Sequence, residues 1–241
     1  MIYVMSDIHG CMDEFEKMLE KIHFSKHDKL YIIGDVIDRG PRPIELLQYI
    51  MKSKNMELLM GNHEEMMLDC LVSPYLSKEE REELSYSQQI QSNRSLWVFC
   101  NGGEITAAQY NELPTEEKHK IYDYLVSLKK VKELELNNKK YLLVHGRPDR
   151  FFKESMQSGK YSSDVLWERI ENFDEDLIPG YEIIVGHTPT SYYGQEYEGK
   201  IITGFHNYLI DCGCVYGYTL GCLCLDTLET YYIEELGGAF S

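Results

Sequence analysis

Short apolar runs that end in polar residues recur along the first third of the chain. Residues 2–5, 29–33 and 56–60 each form such a run, and their length is typical of a buried strand. Apolar residues at near-helical spacing in 11–23 and 41–51 predict two amphipathic helices between these runs. Because strands that alternate with helices form parallel sheets with right-handed crossovers, this part of the chain is expected to be an α/β unit.

The pattern changes between residues 70 and 131, where charged, helix-prone segments replace the strands. Residues 78–91 are rich in glutamate and contain few apolar anchors, which predicts a solvent-exposed helix. Residues 114–128 open with Pro-Thr-Glu-Glu, a typical helix start. We interpret residues 70–131 as a helical insertion beside the functional site, within a single domain that spans residues 1–241.

Strands resume after this insertion. The apolar runs at 134–136 and 140–144 flank an Asn-Asn turn signal, and a further run covers 183–185. Several short β-prone runs between residues 200 and 235 suit an antiparallel meander that forms a second sheet. The predicted fold class is therefore α/β, with one parallel sheet, a second sheet and flanking helices.

Composition restricts the partners and the location. The formal net charge of −16 argues against nucleic acid, because nucleic-acid binding depends on Lys and Arg neutralising phosphates. No apolar run approaches the roughly 20 residues that span a bilayer, so we expect no membrane partner. The N-terminus lacks the features of a secretory signal, and a cytoplasmic location is expected. The sequence does not indicate the oligomeric state.

The seven cysteines raise the question of a structural zinc site. Cys212-x-Cys214 and Cys222-x-Cys224 form two pairs, but structural zinc usually takes cysteines separated by two to four residues. Alternation along the two strands of a hairpin would place each pair on one face without any metal. We therefore expect free thiols in a reducing compartment.

Polar side chains follow five of the predicted strands, where ligand sites lie in open α/β sheets. They are Asp7, His9, Asp35, Asn62, His145 and His187. Carboxylate, imidazole and amide ligands without sulfur suit Mn, Fe or Zn. A single Asp or His at a strand end is usually a capping group, but five such ends in one chain favour a shared site. Six candidates exceed the needs of one ion, so the set predicts two ions bridged by Asp35, which would clamp a phosphoryl group and activate water.

The motifs that contain these residues resemble the phosphoprotein phosphatase branch of the calcineurin-like metallophosphoesterases. Within that branch they are most similar to bacterial and phage enzymes of the lambda phosphatase type. The resemblance implies a two-sheet β-sandwich flanked by helices, with a helical insertion. The motifs are Asp7-x-His9-Gly10, Gly34-Asp35-x-x-Asp38-Arg39-Gly40, Gly61-Asn62-His63-Glu64, Trp97 with Asn101-Gly102-Gly103, Trp167-x-Arg169, and Gly186-His187-Thr188-Pro189.

The same resemblance implies a ligand set for each of two divalent metal ions. The first ion would be held by Asp7, His9 and Asp35. The second ion would be held by Asp35, Asn62, His145 and His187. Manganese is the expected metal, and iron, zinc and cobalt accept the same ligands.

The resemblance also implies the roles of the remaining site residues. His63 would protonate the leaving group as the catalytic acid, and Asp38 would orient its imidazole. Arg39 and Arg169 would bind phosphate oxygens in a fork geometry that lysine does not reproduce, together with Asn62.

Three functions remain open on the sequence. The first is a serine/threonine protein phosphatase acting on phosphorylated proteins, peptides or small phosphate esters, favoured by the intact Asp38-Arg39-Gly40 and by Thr188 after His187. The second is a symmetrical dinucleoside tetraphosphatase, which residues 211–214 also resemble. The third is an inactive binding module. The presence of a suitable residue at every expected ligand position argues against it.

Overall fold

Two five-stranded sheets form the centre of the molecule in the computed structural model, which describes residues 1–148 and 152–234. The first sheet has the strand order β10-β9-β1-β2-β3. Strands β1, β2 and β3 are parallel, β9 is antiparallel to β1, and β10 is antiparallel to β9. These strands are β1 (Ile2–Met5), β2 (Lys29–Ile32), β3 (Met56–Leu58), β9 (Thr219–Cys224) and β10 (Thr230–Glu234).

The second sheet has the strand order β4-β5-β6-β8-β7. Its three central strands β5, β6 and β8 are parallel, and the outer strands β4 and β7 are antiparallel to their neighbours. These strands are β4 (Val131–Leu136), β5 (Lys139–Val144), β6 (Glu182–Val185), β7 (Ile202–Thr203) and β8 (Asn207–Leu209).

The two βαβ units predicted at the start of the chain are confirmed, but the meander predicted between residues 200 and 235 is wrong. Strands β7 and β8 join the second sheet, whereas β9 and β10 extend the first sheet. Residue 235 lies outside the described residues. The positions of the apolar runs were predicted correctly, but β propensity does not determine which strands pair with each other. Strands β1 and β6 each had an edge with backbone N–H and C=O groups that needed hydrogen-bond partners.

The helices pack mainly on the outer faces of the two sheets. Helix α4 has no buried residue, as predicted from its charge pattern. Helix α2 begins at Pro43 rather than Pro41. The helices are α1 (Met12–Lys21), α2 (Pro43–Lys52), α3 (Asn62–Cys70), α4 (Lys78–Ser85), α5 (Gln88–Ser95), α6 (Glu104–Glu112), α7 (Thr115–Ser127), α8 (Phe152–Ser158) and α9 (Asp164–Trp167), and a π-helical turn covers Leu96–Cys100.

A buried apolar layer joins the two sheets. Alternate residues of each central strand face this layer, while the residues between them face the helices. In β1, for example, Val4 belongs to the layer, whereas Tyr3 and Met5 pack under the helices. The members of the layer are Val4, Tyr31, Ile33, Leu59, Tyr141, Leu143, Ile184, Tyr208, Ile210, Leu223 and Leu225. Strands buried on both faces explain the continuous apolar runs in the sequence.

The cysteine pairs do not lie on a hairpin. Cys222 and Cys224 belong to β9, but Cys212 and Cys214 lie in the loop that precedes it. All seven cysteines are free thiols. Among the described residues, no helix has the length and hydropathy needed to cross a membrane.

We predict that Leu143→Ala lowers the free energy of unfolding by about 2–5 kcal/mol, because it opens a cavity between the two sheets. Leu143 is completely buried, whereas Leu84 on α4 is 42% exposed and provides a matched control. Leu84→Ala should change the same quantity by no more than about 0.5 kcal/mol. Urea unfolding measures both variants, and an equal loss in the two would contradict the two-sheet core.

Candidate metal centre

Sharp turns follow strands β1, β2 and β6, and each turn contains residues in the left-handed backbone region. Asp7, His9, Asp35 and His187 have φ angles of 52°, 46°, 56° and 66°. Such angles are uncommon outside glycine and cost free energy, so they occur where the surrounding structure enforces them. Backbone hydrogen bonds from Asp7 N to Gly34 O and from His9 N to Asp35 O tie the first two turns together.

The Asp35 carboxylate lies at the centre of the site. Its Oδ2 atom is 3.3 Å from His145 Nε2, 3.7 Å from His9 Nε2 and 3.9 Å from His63 Nε2. Its Oδ1 atom accepts a hydrogen bond of 3.1 Å from the backbone of His63. Asp35 and these three histidines are all buried. One carboxylate therefore faces imidazoles from three different segments, and one of them, His63, lies in the first turn of α3.

The histidine rings are fixed by hydrogen bonds that leave one nitrogen directed into the site. Nδ1 of His9 lies 2.7 Å from Ile37 O, and Nδ1 of His145 lies 2.7 Å from Ile33 O. On His187 the other nitrogen is used, with Nε2 at 2.9 Å from Trp167 O. When the imidazole is neutral and a carbonyl accepts its N–H, the opposite nitrogen has a lone pair available for a metal ion.

Two groups of side chains at the site have the spacing needed to hold a metal ion, and they share Asp35. One group contains His9, Asp35 and His63, and the other contains Asp35, His145 and His187. Asn62 supplies a neutral oxygen to the second group, because its Oδ1 lies 2.9 Å from His145 Nε2 and 3.0 Å from His187 Nδ1. The predicted second ligand set is therefore brought together by the fold.

Asp7 lies beside this centre, but it belongs to neither group among the described residues. Its Oδ2 accepts hydrogen bonds from Ser6 Oγ and, at 3.0 Å, from the backbone of His187. Burial raises the pKa of Asp7 to about 7, and the nearby Asp35 carboxylate acts in the same direction. In the place that the resemblance gives to Asp7, the geometry puts His63 with His9 and Asp35.

The pKa values of the histidines His145 and His187 are shifted in opposite directions. Burial opposes a charge on His145, but the adjacent Asp35 carboxylate outweighs burial and raises the His145 pKa to about 10. Burial lowers the pKa of His187 to about 3, assisted by the charges of His145 and Arg169. The protein alone therefore satisfies Asp35 with one cationic imidazole and keeps His187 neutral, the form that ligates metals.

His63 forms a hydrogen-bonded dyad with Asp38. His63 Nδ1 lies 2.6 Å from Asp38 Oδ2, and both side chains are buried. Trp97 Nε1 donates a hydrogen bond of 2.7 Å to the same oxygen. The backbone of Asp38 is held by Thr106 Oγ1 at 2.9 Å. Trp97 and Thr106 therefore fix the carboxylate that orients His63, and the sequence analysis gave neither of them this role.

Glu64 is a third residue whose role was not predicted from the sequence. Its buried carboxylate accepts backbone N–H groups from Asp35 at 2.8 Å, Val36 at 2.9 Å and Gly61 at 3.0 Å. It stands at the third position of α3, where a glutamate commonly reaches back to the residue before the helix. That capping pattern was the available signal. Glu64 thereby connects the Asp35 turn to the helix that carries Asn62 and His63.

The two predicted phosphate-binding arginines each lie over an aromatic ring. Arg39 Cζ is 5.4 Å from the centre of the Tyr216 ring, and Arg39 Nη1 is 2.5 Å from His9 Nε2. Arg169 Cζ is 5.3 Å from the centre of the exposed Tyr192 ring. A guanidinium held on a ring face has N–H groups that can bind anions, and in Arg39 one nitrogen is already directed at His9.

Curated relatives name a different substrate from the one that the sequence analysis favoured. A Vibrio parahaemolyticus protein is 29% identical over 117 residues, which are 42% of this chain and 44% of that protein. A Nitrosococcus oceani protein is 25% identical over 276 aligned positions, which cover 95% of this chain and 94% of that protein. A Buchnera aphidicola protein is 29% identical over 63% of this chain and 55% of its own length. All three are named symmetrical bis(5'-nucleosyl)-tetraphosphatase.

The prediction of a serine/threonine protein phosphatase is therefore wrong, and these relatives favour the second function over it. The residues on which it rested do not report the leaving group. Asp38 contacts His63, and Arg39 lies against His9, so both residues pack on the metal-capable groups. Thr188 is 3% exposed and hydrogen-bonds Gly186 through its backbone, so it has little surface for a substrate.

Solved structures support the fold. A protein provisionally described as a diadenosine tetraphosphatase superposes with a TM-score of 0.62, at 17% identity, covering 98% of this chain and 94% of its own. A cold-active protein-tyrosine phosphatase from a Shewanella species superposes with a TM-score of 0.56, at 16% identity, covering 97% of this chain and 80% of its own. The family model described as calcineurin-like phosphoesterase matches residues 1–212. The chain belongs to the calcineurin-like phosphoesterase family.

Proposed function

We propose that this protein is a metal-dependent hydrolase that cleaves symmetrical dinucleoside tetraphosphates at the central phosphoanhydride, giving two nucleoside diphosphates. The observation that carries the proposal is the pair of metal-capable groups that share Asp35. The names of the curated relatives supply the substrate class. A tetraphosphate carries several negative charges, so an acidic protein needs a local cluster of cations to bind it.

The donor set fits two divalent ions. We assign Asp35 as the shared ligand, with His9 and Asp7 on one side and with Asn62, His145 and His187 on the other. Manganese suits these oxygen and imidazole donors, and it is the ion we propose. When bound, two such ions would lower the pKa of water and neutralise charge on the phosphoryl group.

The arginines are assigned to the phosphate chain. Arg39 and Arg169 carry forked guanidinium groups that match phosphate oxygens, and the Tyr216 and Tyr192 rings beneath them limit their motion. Asn62 has an amide nitrogen free to donate to phosphate when its oxygen faces the histidines. These groups would hold the substrate in position for attack at phosphorus.

The His63–Asp38 dyad is assigned to proton transfer. Asp38 accepts the Nδ1 proton, which leaves His63 Nε2 facing the Asp35 side of the site. From there Nε2 would deliver a proton to the oxygen that leaves with the nucleoside diphosphate. A diphosphate oxygen is less basic than an alkoxide, so this proton transfer contributes less than it would for a phosphate monoester.

We predict that the protein supplied with Mn²⁺ converts diadenosine tetraphosphate into ADP alone, because attack is directed at the central anhydride. Chromatography of the products measures this directly. Equal amounts of ATP and AMP would contradict symmetrical cleavage. Absence of turnover by folded protein, tested with Mn²⁺, Co²⁺, Fe²⁺ and Zn²⁺ in turn, would overturn the proposed function.

Asp35→Asn should reduce the bound metal to less than half of the wild-type content, because the shared ligand serves both ions. Elemental analysis after dialysis against Mn²⁺ gives the stoichiometry. Asp13→Asn is the matched control, since Asp13 is exposed and pairs with Arg42 outside the site. A wild-type metal content in Asp35→Asn would rule out the bridging assignment.

The variant His63→Asn distinguishes between two roles of His63, that of proton donor and that of metal ligand. We expect unchanged metal content and a fall in kcat of about a hundredfold, the lower end of the range for general acid catalysis. Loss of one ion per chain in this variant would instead make His63 a ligand, as its spacing to His9 and Asp35 allows.

A further inference from the structure

A cavity of about 600 Å³ opens beside Arg39. Its lining includes the charged residues Arg39 and Glu104 and the apolar residues Val98, Phe99 and Ile105. Its volume falls within the roughly 300–1,000 Å³ of pockets that hold small organic ligands. Neither the two metal-capable groups nor the His63–Asp38 dyad uses this cavity.

The Phe99 side chain is the most unusual feature of the cavity. It is 79% exposed, whereas Trp97, two residues earlier in the same π-helical turn, is 3% exposed. Within the described parts of the chain, no other aromatic ring stacks on Phe99. A large apolar ring left open to solvent beside a polar site is a feature of binding surfaces.

Hydrogen bonds and close packing connect the cavity to the metal centre. The Arg39 backbone N–H donates to Gly102 O at 3.0 Å, and Gly103 packs so closely on the Trp97 ring that a Cβ there would lie 2.5 Å from Nε1. Trp97 in turn holds Asp38. One short segment, residues 97–104, therefore positions both the proton-transfer dyad and the open aromatic ring.

The cavity is lined by two side chains of opposite charge. Arg39 supplies a cation that lies against His9. Glu104 supplies an anion, and it has no hydrogen-bond or ion-pair partner within 1–148 and 152–234. Phosphate is attracted to Arg39 and repelled by Glu104. A ligand that fits therefore combines an anionic part for Arg39, N–H donors for Glu104 and a flat apolar part for Phe99.

We propose that this cavity, which we call the Phe99 pocket, binds one nucleobase of the substrate. The base stacks on Phe99, its amino edge donates to Glu104, and Arg39 binds the adjoining phosphates. The inference rests on the proposed function and deepens it, since it assigns the residues that distinguish a nucleotide from a bare phosphate chain. Base–aromatic stacking tolerates any base, so Phe99 would provide affinity and Glu104 a preference for amino-bearing bases.

Binding of ADP compared with pyrophosphate tests the Phe99 pocket, because the two ligands share the diphosphate and differ in the nucleoside. We expect Phe99→Ala in the Mn²⁺-loaded protein to weaken ADP binding about tenfold or more, as lost stacking predicts. The ratio of the ADP and pyrophosphate dissociation constants should move towards one. Phe99→Trp should retain the wild-type ratio, since it restores a stacking surface.

Tyr86→Ala is the matched control, because Tyr86 is an 82% exposed aromatic residue of the same insertion and does not line the cavity. Calorimetric titration measures all four proteins. An unchanged ratio in Phe99→Ala, or an equal change in Tyr86→Ala, would overturn the inference.

Turnover separates this inference from the proposed function. In Phe99→Ala, kcat/KM for diadenosine tetraphosphate should fall relative to that for inorganic tetraphosphate, mainly through KM. Hydrolysis of diadenosine tetraphosphate with no dependence on Phe99 would overturn the pocket and leave the function standing. A base-dependent ADP affinity without any tetraphosphate hydrolysis would overturn the function and support the pocket.

Discussion

The site depends on a buried negative charge at Asp35 that the rest of the fold must compensate. A buried carboxylate is costly unless charged or hydrogen-bonded groups surround it, and here three imidazoles from separate segments of the chain do so. Burial opposes its ionisation, but His145 and His63 outweigh that effect and hold the Asp35 pKa well below its usual range. The three imidazoles follow strands β1, β3 and β5.

Glu64 is a second buried carboxylate of the site, and it holds the backbone around Asp35 in place. Its carboxylate is buried against the N–H groups of the Asp35 turn and of Gly61, so the turn and helix α3 keep a fixed relation. Burial raises the pKa of Glu64 to about 7, which records the free-energy cost of placing it there. The left-handed residues in these turns add further cost. Residues held at such cost are typical of preorganised sites, where metal and phosphate must meet fixed groups.

The sequence predicted much of this arrangement because the chemistry lies at strand ends. The apolar runs located β1, β2, β3, β5 and β6. Five of the six predicted ligands that follow such runs lie together, whereas Asp7 lies beside them and outside both metal-capable groups of the described residues. Sheet membership after residue 200 was not predictable, since pairing is decided by free strand edges elsewhere in the chain. The roles of Glu64, Trp97 and Thr106 were hidden because each acts through a contact distant in sequence or through the backbone.

The motifs also did not identify the substrate class. Residues that bind metal and phosphoryl oxygens are needed whatever the leaving group is, so they identify the family and not the substrate. We propose that the information about the leaving group lies in surfaces beyond the phosphate, such as the Phe99 pocket. The helical insertion and the single-domain limits of residues 1–241 remain predictions, whereas the two-sheet α/β fold is confirmed by the structure and by its solved neighbours.

The central claim is that Asp35 is shared by two metal ions. Anomalous X-ray diffraction at the manganese edge, from crystals grown with Mn²⁺, tests it without reference to any substrate. The account predicts two anomalous peaks about 3.5–4 Å apart, both in contact with the Asp35 carboxylate. A single peak, or two peaks of which one is out of contact with Asp35, would contradict it.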